Sequence, residues 1–388
     1  VARMITMGEE FMGKEPFKHV FIHGLVRDEQ GRKMSKSLGN GIDPVEVVNQ
    51  YGADTLRFML ITGNTPGNDM RFYWNRIEST RNFANKIWNA SRFALMNLDG
   101  YDKDAEKAPL TLADKWILSR LQHTIQDVST YLEKFELGEA GRLIYDFIWG
   151  EVCDWYIELA KPRLYDRENA PARATAQTVL CRVLGDAMKL LHPYMPFITE
   201  EIWQHLPHEG QSIMIAPWPV ADDSLMDDSV EKQMTAVMDV IKAIRNMRAE
   251  VNAAPGHKAP ATVLVDADLK DVFAGNGDYI RQLGTVDELT LGAMEDAAPE
   301  NAMAAVVNGA KVYLPLKGLI DVEKELARLQ KELDGAEKEA KRAAGKLSNQ
   351  NFLAKAPAEV VEKEKNKQTE ILARIDGLKE RIATLRSL

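Results

Sequence analysis

The last seventy residues restrict the fold more than any other part of the chain. Leu319, Val322, Leu326, Leu329, Leu333, Ala336 and Ala340 follow one another in alternating steps of three and four. The spacing resumes at Ile371, Ile375, Leu378, Ile382 and Leu385. Such a stripe makes one face of a helix apolar and demands a partner helix. Between the two stripes lies Ser348-Asn-Gln-Asn-Phe-Leu-Ala-Lys-Ala-Pro357, a turn with proline at its end. The pattern predicts an antiparallel coiled-coil hairpin over 317–388. At ~1.5 Å per residue, an arm over 319–347 would be ~43 Å long and stand off the body as a lever.

The middle of the chain is helical in a different way. Apolar periodicity predicts helices over 72–98, 111–134, 138–161, 170–191, 195–206 and 227–252. Pro193, Pro196, Pro207, Pro217 and Pro219 punctuate their ends. All seven tryptophans fall between Trp74 and Trp218, which points to a bundle with a heavy core there. Ala261–Asp266 and Glu288–Leu291 read as strands, and Asn308-Gly309 sits in a hairpin turn, so 256–316 forms a small α+β module.

The N-terminal part follows an α/β pattern. Residues 18–28 hold a short apolar run bounded by polar residues, as in a buried parallel strand. A Gly-rich basic loop follows from Gly31 to Gly41, and Asp43-Pro44 then opens a helix as N-cap and first residue.

Composition removes several classes. At 388 residues and 45% hydrophobic, the chain has enough apolar side chains for a real core and for two to four domains. It has no stretch of ~18 apolar residues to span a membrane. Two cysteines, Cys153 and Cys181, suit a reduced cytoplasmic protein and cannot make a four-thiolate zinc site. Val1-Ala-Arg-Met4 lacks an initiator methionine, so the chain is expected to be a piece of something longer. The net charge of −9 disfavours a polyanion partner only on average. Residues 317–388 and 62–93 each carry +3, two basic islands on an acidic body. Charge alone favours ordinary solvated helix faces for both.

The strongest local chemistry is Gly31-Arg-Lys-Met-Ser-Lys-Ser-Leu-Gly-Asn40. Two ammonium groups three residues apart, two hydroxyls and flanking glycines suit a mobile loop that grips a polyphosphate. Composition alone favours a merely solvated basic loop, and no Walker-type phosphate loop is present.

Lys33-Met-Ser-Lys-Ser37 resembles the signature loop of class I aminoacyl-tRNA synthetases. Its flanks, His23-Gly-Leu-Val-Arg-Asp28, Ile42-Asp-Pro44, Tyr51-Gly-Ala-Asp-Thr-Leu-Arg57 and Pro66-Gly-Asn-Asp69, resemble the valyl-tRNA synthetases. The likeness continues through Arg81–Phe93, Cys153–Lys161, Leu191–Trp203 and the hairpin with Lys355-Ala-Pro-Ala-Glu-Val-Val361. Isoleucyl-tRNA synthetase is the alternative. Its bacterial form usually ends in a Cys-rich zinc module, and this tail has no cysteine. None of the seven histidines lies in the His-Ile-Gly-His motif of the class, nor is the family's editing insertion here. The resemblance thus implies a C-terminal portion, inactive by itself.

It also implies an architecture. Residues 1–62 would end a Rossmann-type α/β catalytic domain, 63–255 form an α-helical anticodon-binding bundle, 256–316 the α+β module and 317–388 the tRNA-binding arm. ATP with its Mg2+, valine and tRNA(Val) are the implied partners, with no protein-bound metal in this region, no membrane, and a monomer. Lys33 and Lys36 would stabilise the triphosphate as pyrophosphate leaves. Met34, Ser35, Ser37, His23 and Gly24 would complete the ATP side, with Ser35 and Ser37 more suited to holding the loop's shape. Arg81, Asn85, Lys86, Arg92 and Phe93 would meet the tRNA from the bundle, with Phe93 stacking on a base. Phe83 and Trp88 are expected in the core. Lys341, Arg342 and Lys346 would meet tRNA from the arm. Two other readings stay open, a tRNA-binding module alone and a coiled-coil protein that dimerises through its tail.

Overall fold

A computed structural model of the chain describes residues 1–63, 67–315, 322–348 and 358–386. It divides into two compact units, Val1–Met234 and Thr235–Leu388.

In the first unit, helix α1 (Ala2–Met12) ends at Gly13 in the left-handed region and buries none of its residues. Strand β1 (Val26–Arg27) runs parallel to β2 (Met70–Arg71), with Val26 opposite Met70. The strand expected over 18–28 is therefore two residues long. A parallel strand buried on both faces needs flanking partners; among the described residues β2 is the one strand paired with it, beside a single antiparallel bridge from Arg27 to Lys33. Val20, Phe21, Ile22 and Leu25 remain exposed. Helix α2 (Pro44–Tyr51) starts as the sequence predicts, with the Asp43 carboxylate accepting from Val45 N at 2.8 Å. Helix α3 (Ala53–Thr62) follows. Val47, Met59, Met70, Phe72 and Ile77 close a small core beneath these elements.

The bundle comprises α4 (Trp74–Asn97), α5 (Leu112–Glu133), α6 (Leu137–Asp146), α7 (Ile157–Tyr165), α8 (Ala170–Leu191) and α9 (Pro196–His205). The helix expected over 138–161 is split by a π-helical segment, Phe147–Tyr156. Its buried Ile148, Val152 and Tyr156 recur every four residues, a spacing that a wider turn keeps on one side. Asp54 ties α3 to the bundle by accepting from Phe197 N and Ile198 N, at 3.2 and 2.7 Å, at the start of α9. Arg57 donates to the carbonyls of Pro193 and Tyr194. The tryptophans contribute less core than their clustering suggested. Trp116 and Trp203 are buried, whereas Trp74, Trp88 and Trp218 are exposed.

Helix α10 (Asp228–Glu250) starts in the first unit and continues in the second. There, β3 (Ala259–Val265), helix α11 (Lys270–Gly284) and β4 (Val286–Ala293) form a parallel crossover. Strands β5 (Ala302–Val307) and β6 (Ala310–Pro315) complete a sheet of order β4-β3-β6-β5. The predicted Asn308-Gly309 turn joins β5 to β6, and Gly309 has a φ of 74° that a residue with a Cβ would resist.

Helices α12 (Val322–Ser348) and α13 (Ala358–Arg386) pack along their apolar stripes. Leu329, Leu333, Ala336, Ile371, Ile375, Leu378 and Ile382 form one buried cluster. The ion pairs Arg374–Glu332 and Lys367–Glu339 step seven residues up one helix and seven down the other, so the pair is antiparallel. Leu319, Pro66 and the turn residues 349–357 lie outside the described residues, as do the side chains of Val322 and Leu385.

Candidate active-site loop and nucleic-acid face

The loop after β1 is held by its own polar groups. Asp28, buried at the strand's end, accepts from Arg32 N and Arg32 Nε, both at 2.7 Å, and from Asn40 Nδ2 at 2.9 Å. The Asn40 hydrogen bond leads the causes that, with those from Arg32, hold the Asp28 carboxyl at about 2. Asn40 also donates to Lys33 O at 3.3 Å and accepts from Ser35 N at 2.9 Å. It closes the loop end to end. Ser35 caps the short 3-10 turn Lys36–Leu38, accepting from Leu38 N at 3.4 Å, and its hydroxyl meets that of Ser37 at 3.2 Å. Gly39 ends the turn with φ 61°.

Two features of this frame leave the lysines available. Lys33 and Lys36 are exposed, and neither ammonium has an ion-pair partner among the described residues. Met34 turns the other way and packs against the small core of Val47, Met59 and Met70, so it anchors the loop. The backbone is thus fixed while two positive charges face solvent.

His23 and Gly24 line a cavity of ≈ 240 Å³ with Phe21, Leu60 and Phe135. His23 is exposed, its Nδ1 2.9 Å from the Gly24 carbonyl. A Cβ at Gly24 would lie 1.7 Å from the Asn68 carbonyl oxygen, so only glycine permits this approach of the two backbones. Asp69 fastens the same crossing, accepting from Leu25 N at 2.7 Å and from Arg27 Nε. Those two hydrogen bonds, Leu25's first, lower its carboxyl below the ordinary value.

On α4, Arg81, Asn85 and Arg92 are exposed, and the Arg81 guanidinium lies 5.6 Å from the Tyr51 ring centroid. Lys86 is engaged within the protein, paired with Asp154 and 3.8 Å over the Trp149 ring. Phe93 is half-buried with its ring set edge-on to Tyr165, and Lys161 lies 5.5 Å above it. Phe83 is fully buried, as expected, but Trp88 is 43% exposed. Five residues along a helix amount to a rotation of about 140°, so these two rings cannot share the core face. On the arm, Lys341, Arg342 and Lys346 are exposed on α12, with Lys338 one turn before them.

Three segments match described families. Residues 1–73 match "tRNA synthetases class I (I, L, M and V)", 114–264 match "Anticodon-binding domain of tRNA ligase", and 321–386 match "Valyl tRNA synthetase tRNA binding arm". Valine--tRNA ligase of Carboxydothermus hydrogenoformans is 54% identical over 99% of this chain and 44% of its own length. Those of Geobacillus kaustophilus and Bacillus subtilis are 51% and 48% identical over 100% of this chain and again 44% of theirs. The chain belongs to the valyl-tRNA synthetase family. It spans less than half the length of the relatives it matches.

Within a valyl-tRNA synthetase chain the braced loop falls in the class I segment, and α12 and α13 fill the arm segment. Helix α4 lies between the first two matched segments and inside neither. The sequence reading passed over Asn40 and Asp28 as working residues. An acid and an amide on either side of a cationic loop are the signal that was present. Asn40→Ala removes all three of its hydrogen bonds and is expected to loosen the loop by about 1–3 kcal/mol. The checks are faster amide hydrogen exchange over 33–39 and a rise of the Asp28 carboxyl from about 2 toward ordinary values, read by NMR. Unchanged exchange in that segment would remove Asn40 from this role. Among the described residues no group of three or more His, Cys, Asp or Glu converges to hold a metal, and no helix is long and apolar enough to cross a membrane.

Proposed function

We propose that this chain supplies the ATP-side loop and the tRNA-binding elements of a valine–tRNA ligase. In that reaction the valine carboxylate attacks the α-phosphorus of ATP, pyrophosphate leaves, and valyl-adenylate forms. A terminal hydroxyl of tRNA(Val) then attacks the activated carbonyl and releases AMP. Lys33 and Lys36 act in the first step, stabilising charge that grows on the departing pyrophosphate. Lysine suits this because its charge is compact and its stem can follow a moving group. Magnesium travels with the nucleotide and neutralises part of its charge. Ser35, Ser37, Met34 and Asn40 keep the two lysines on station, and His23 and Gly24 border the neighbouring cavity. The antiparallel arm is a coiled coil that meets tRNA through Lys341, Arg342 and Lys346, while Arg81, Asn85 and Arg92 meet it from the bundle. The protein acts as a cytoplasmic monomer.

The observation that carries this reading is the pairing of two ammonium groups, without an ion-pair partner among the described residues, with a backbone braced from both ends, in a chain about half identical to valine ligases throughout. The test uses the 388-residue chain as it stands. It is expected to bind tRNA(Val) with an affinity that falls of order 10–100-fold between about 50 and 200 mM salt, as a few phosphate contacts require. It is expected to show no valine-dependent ATP–pyrophosphate exchange. Salt-insensitive binding, or exchange by this chain alone, would count against the assignment.

A further inference from the structure

Strands β1 and β2 and the start of the lysine loop have two faces. Val26, Met34 and Met70 turn inward to the small core. The residues one step along from each of them turn outward. Arg27 stands opposite Arg71 across the parallel pair, and Lys33 stands opposite Arg27 in an antiparallel bridge. Residues directly opposite one another share a face. Lys33, Arg27 and Arg71 thus form a row of three cations on the outer side. At ~4.8 Å between neighbouring chains, the two ends of the row start about 10 Å apart. The middle cation is neutralised, since Arg27 is paired with Asp69. Arg71 is exposed, and no ion pair or hydrogen bond holds its guanidinium among the described residues. It lies against the loop all the same. A Cβ on Gly31 would be 3.1 Å from Arg71 Nε and 3.2 Å from Nη2.

We infer that Arg71 is a third cation for the phosphates of ATP, gripping the pyrophosphate end together with Lys33. The inference rests on the proposed ATP-side role of the loop and deepens it by naming a phosphate-binding residue outside the loop. The row and Asp69 together carry a local charge of +2 in a chain whose net charge is −9, which suits a polyanion at this face. A guanidinium presents two parallel N–H groups to a phosphate, so Arg71 adds direction to the point charge of Lys33. Its backbone is held in the strand pair, with Met70 N donating to Leu25 O at 3.0 Å and Phe72 N to Arg27 O at 2.8 Å. A cation fixed on a strand meets the phosphates alike before, during and after the bond breaks. It therefore contributes to binding more than to kcat, in contrast to Lys36 on its short turn.

The test is valine-dependent ATP–pyrophosphate exchange by a full-length valine--tRNA ligase that contains these 388 residues, with inorganic pyrophosphate varied. Arg71→Ala is expected to raise KM for pyrophosphate about tenfold and to leave kcat within about twofold. Arg71→Lys, which keeps the charge without the fork, is expected to come within about threefold of the parent. Arg71→Met, which keeps a stem beside Gly31 without the charge, is expected to match the alanine variant. Affinity for tRNA(Val) should not change in any of them. The side chain being exposed, the melting temperature of each variant should stay close to the parent's, which separates contact from misfolding. An unchanged KM in Arg71→Ala, with exchange still depressed in Lys36→Ala, overturns the inference and leaves the loop's role standing. Recovery by methionine overturns it too, in favour of simple packing on Gly31. A fall in tRNA affinity with exchange unchanged also overturns it, because the phosphates met would then be those of RNA. Unchanged exchange in both Arg71→Ala and Lys36→Ala brings down the ATP-side reading along with it.

Discussion

Lys36→Ala is expected to lower valine activation about 10²–10³-fold in a full-length valine--tRNA ligase that contains these 388 residues. The size follows from what Lys36 has and what it lacks. Its backbone begins the 3-10 turn that Ser35 caps, so the origin of the side chain is fixed. Its ammonium has no ion-pair partner among the described residues, so no protein contact competes for the charge. A group so placed acts most when negative charge develops on the leaving pyrophosphate, and little when ATP merely rests in the site. The loss should therefore fall on kcat for pyrophosphate exchange, with a smaller change in KM for ATP. Lys36→Arg should recover only part, because a planar fork does not replace a compact charge on a flexible stem. Affinity for tRNA(Val) should not change. A fall in exchange of less than about tenfold, or a loss confined to KM, would remove Lys36 from the transition state.

How much of this was legible in the sequence depended on whether the deciding contacts were local. Helices α4, α5, α8, α9 and α10 came within about two residues of their predicted limits, because a 3.6-residue stripe defines each of them and, in all but α4, a proline or capping residue marks the start. The Asn308-Gly309 hairpin was legible for the same reason. The strand at 18–28 was not, because burial of a parallel strand depends on neighbours far away in sequence. The π segment was invisible because its buried residues also fit an ordinary amphipathic helix. In the candidate site, the loop's lysines could be read from their spacing and resemblance. The brace formed by Asp28 and Asn40 could not, since it closes across twelve residues and shows only in three dimensions. Trp88 differs from the core expectation because five residues of helix turn it about 140° away from the buried Phe83.

Asp114→Ala is expected to destabilise the bundle by about 3–5 kcal/mol, the largest stability effect foreseen for a single side chain here. Asp114 is fully buried at the first turn of α5. It accepts from Thr111 N and Oγ1 at 2.9 and 2.8 Å, from the Tyr156 hydroxyl at 2.9 Å, and from both terminal nitrogens of Arg163 at 2.6 and 2.8 Å. Burial opposes its ionisation. The Arg163 fork and the Thr111 bonds overcome that, and the carboxyl lies below its ordinary value. Removing the carboxylate takes away its half of the capping box with Thr111 and leaves the Tyr156 hydroxyl and the Arg163 charge without it. A depressed carboxyl contributes stability that is present above the unfolded-state value near ~3.9 and is lost as the pH falls through the lower native value. The gap between parent and variant should therefore be constant near neutrality and narrow below about pH 4. Urea melts at several pH values measure both. Asp114→Leu combined with Arg163→Met should recover most of the loss, because the penalty lies chiefly in stranding one charge and not in lacking the pair. A double variant as unstable as Asp114→Ala would show instead that the shape of the polar network, more than its charge, holds α5 against the π segment and α7.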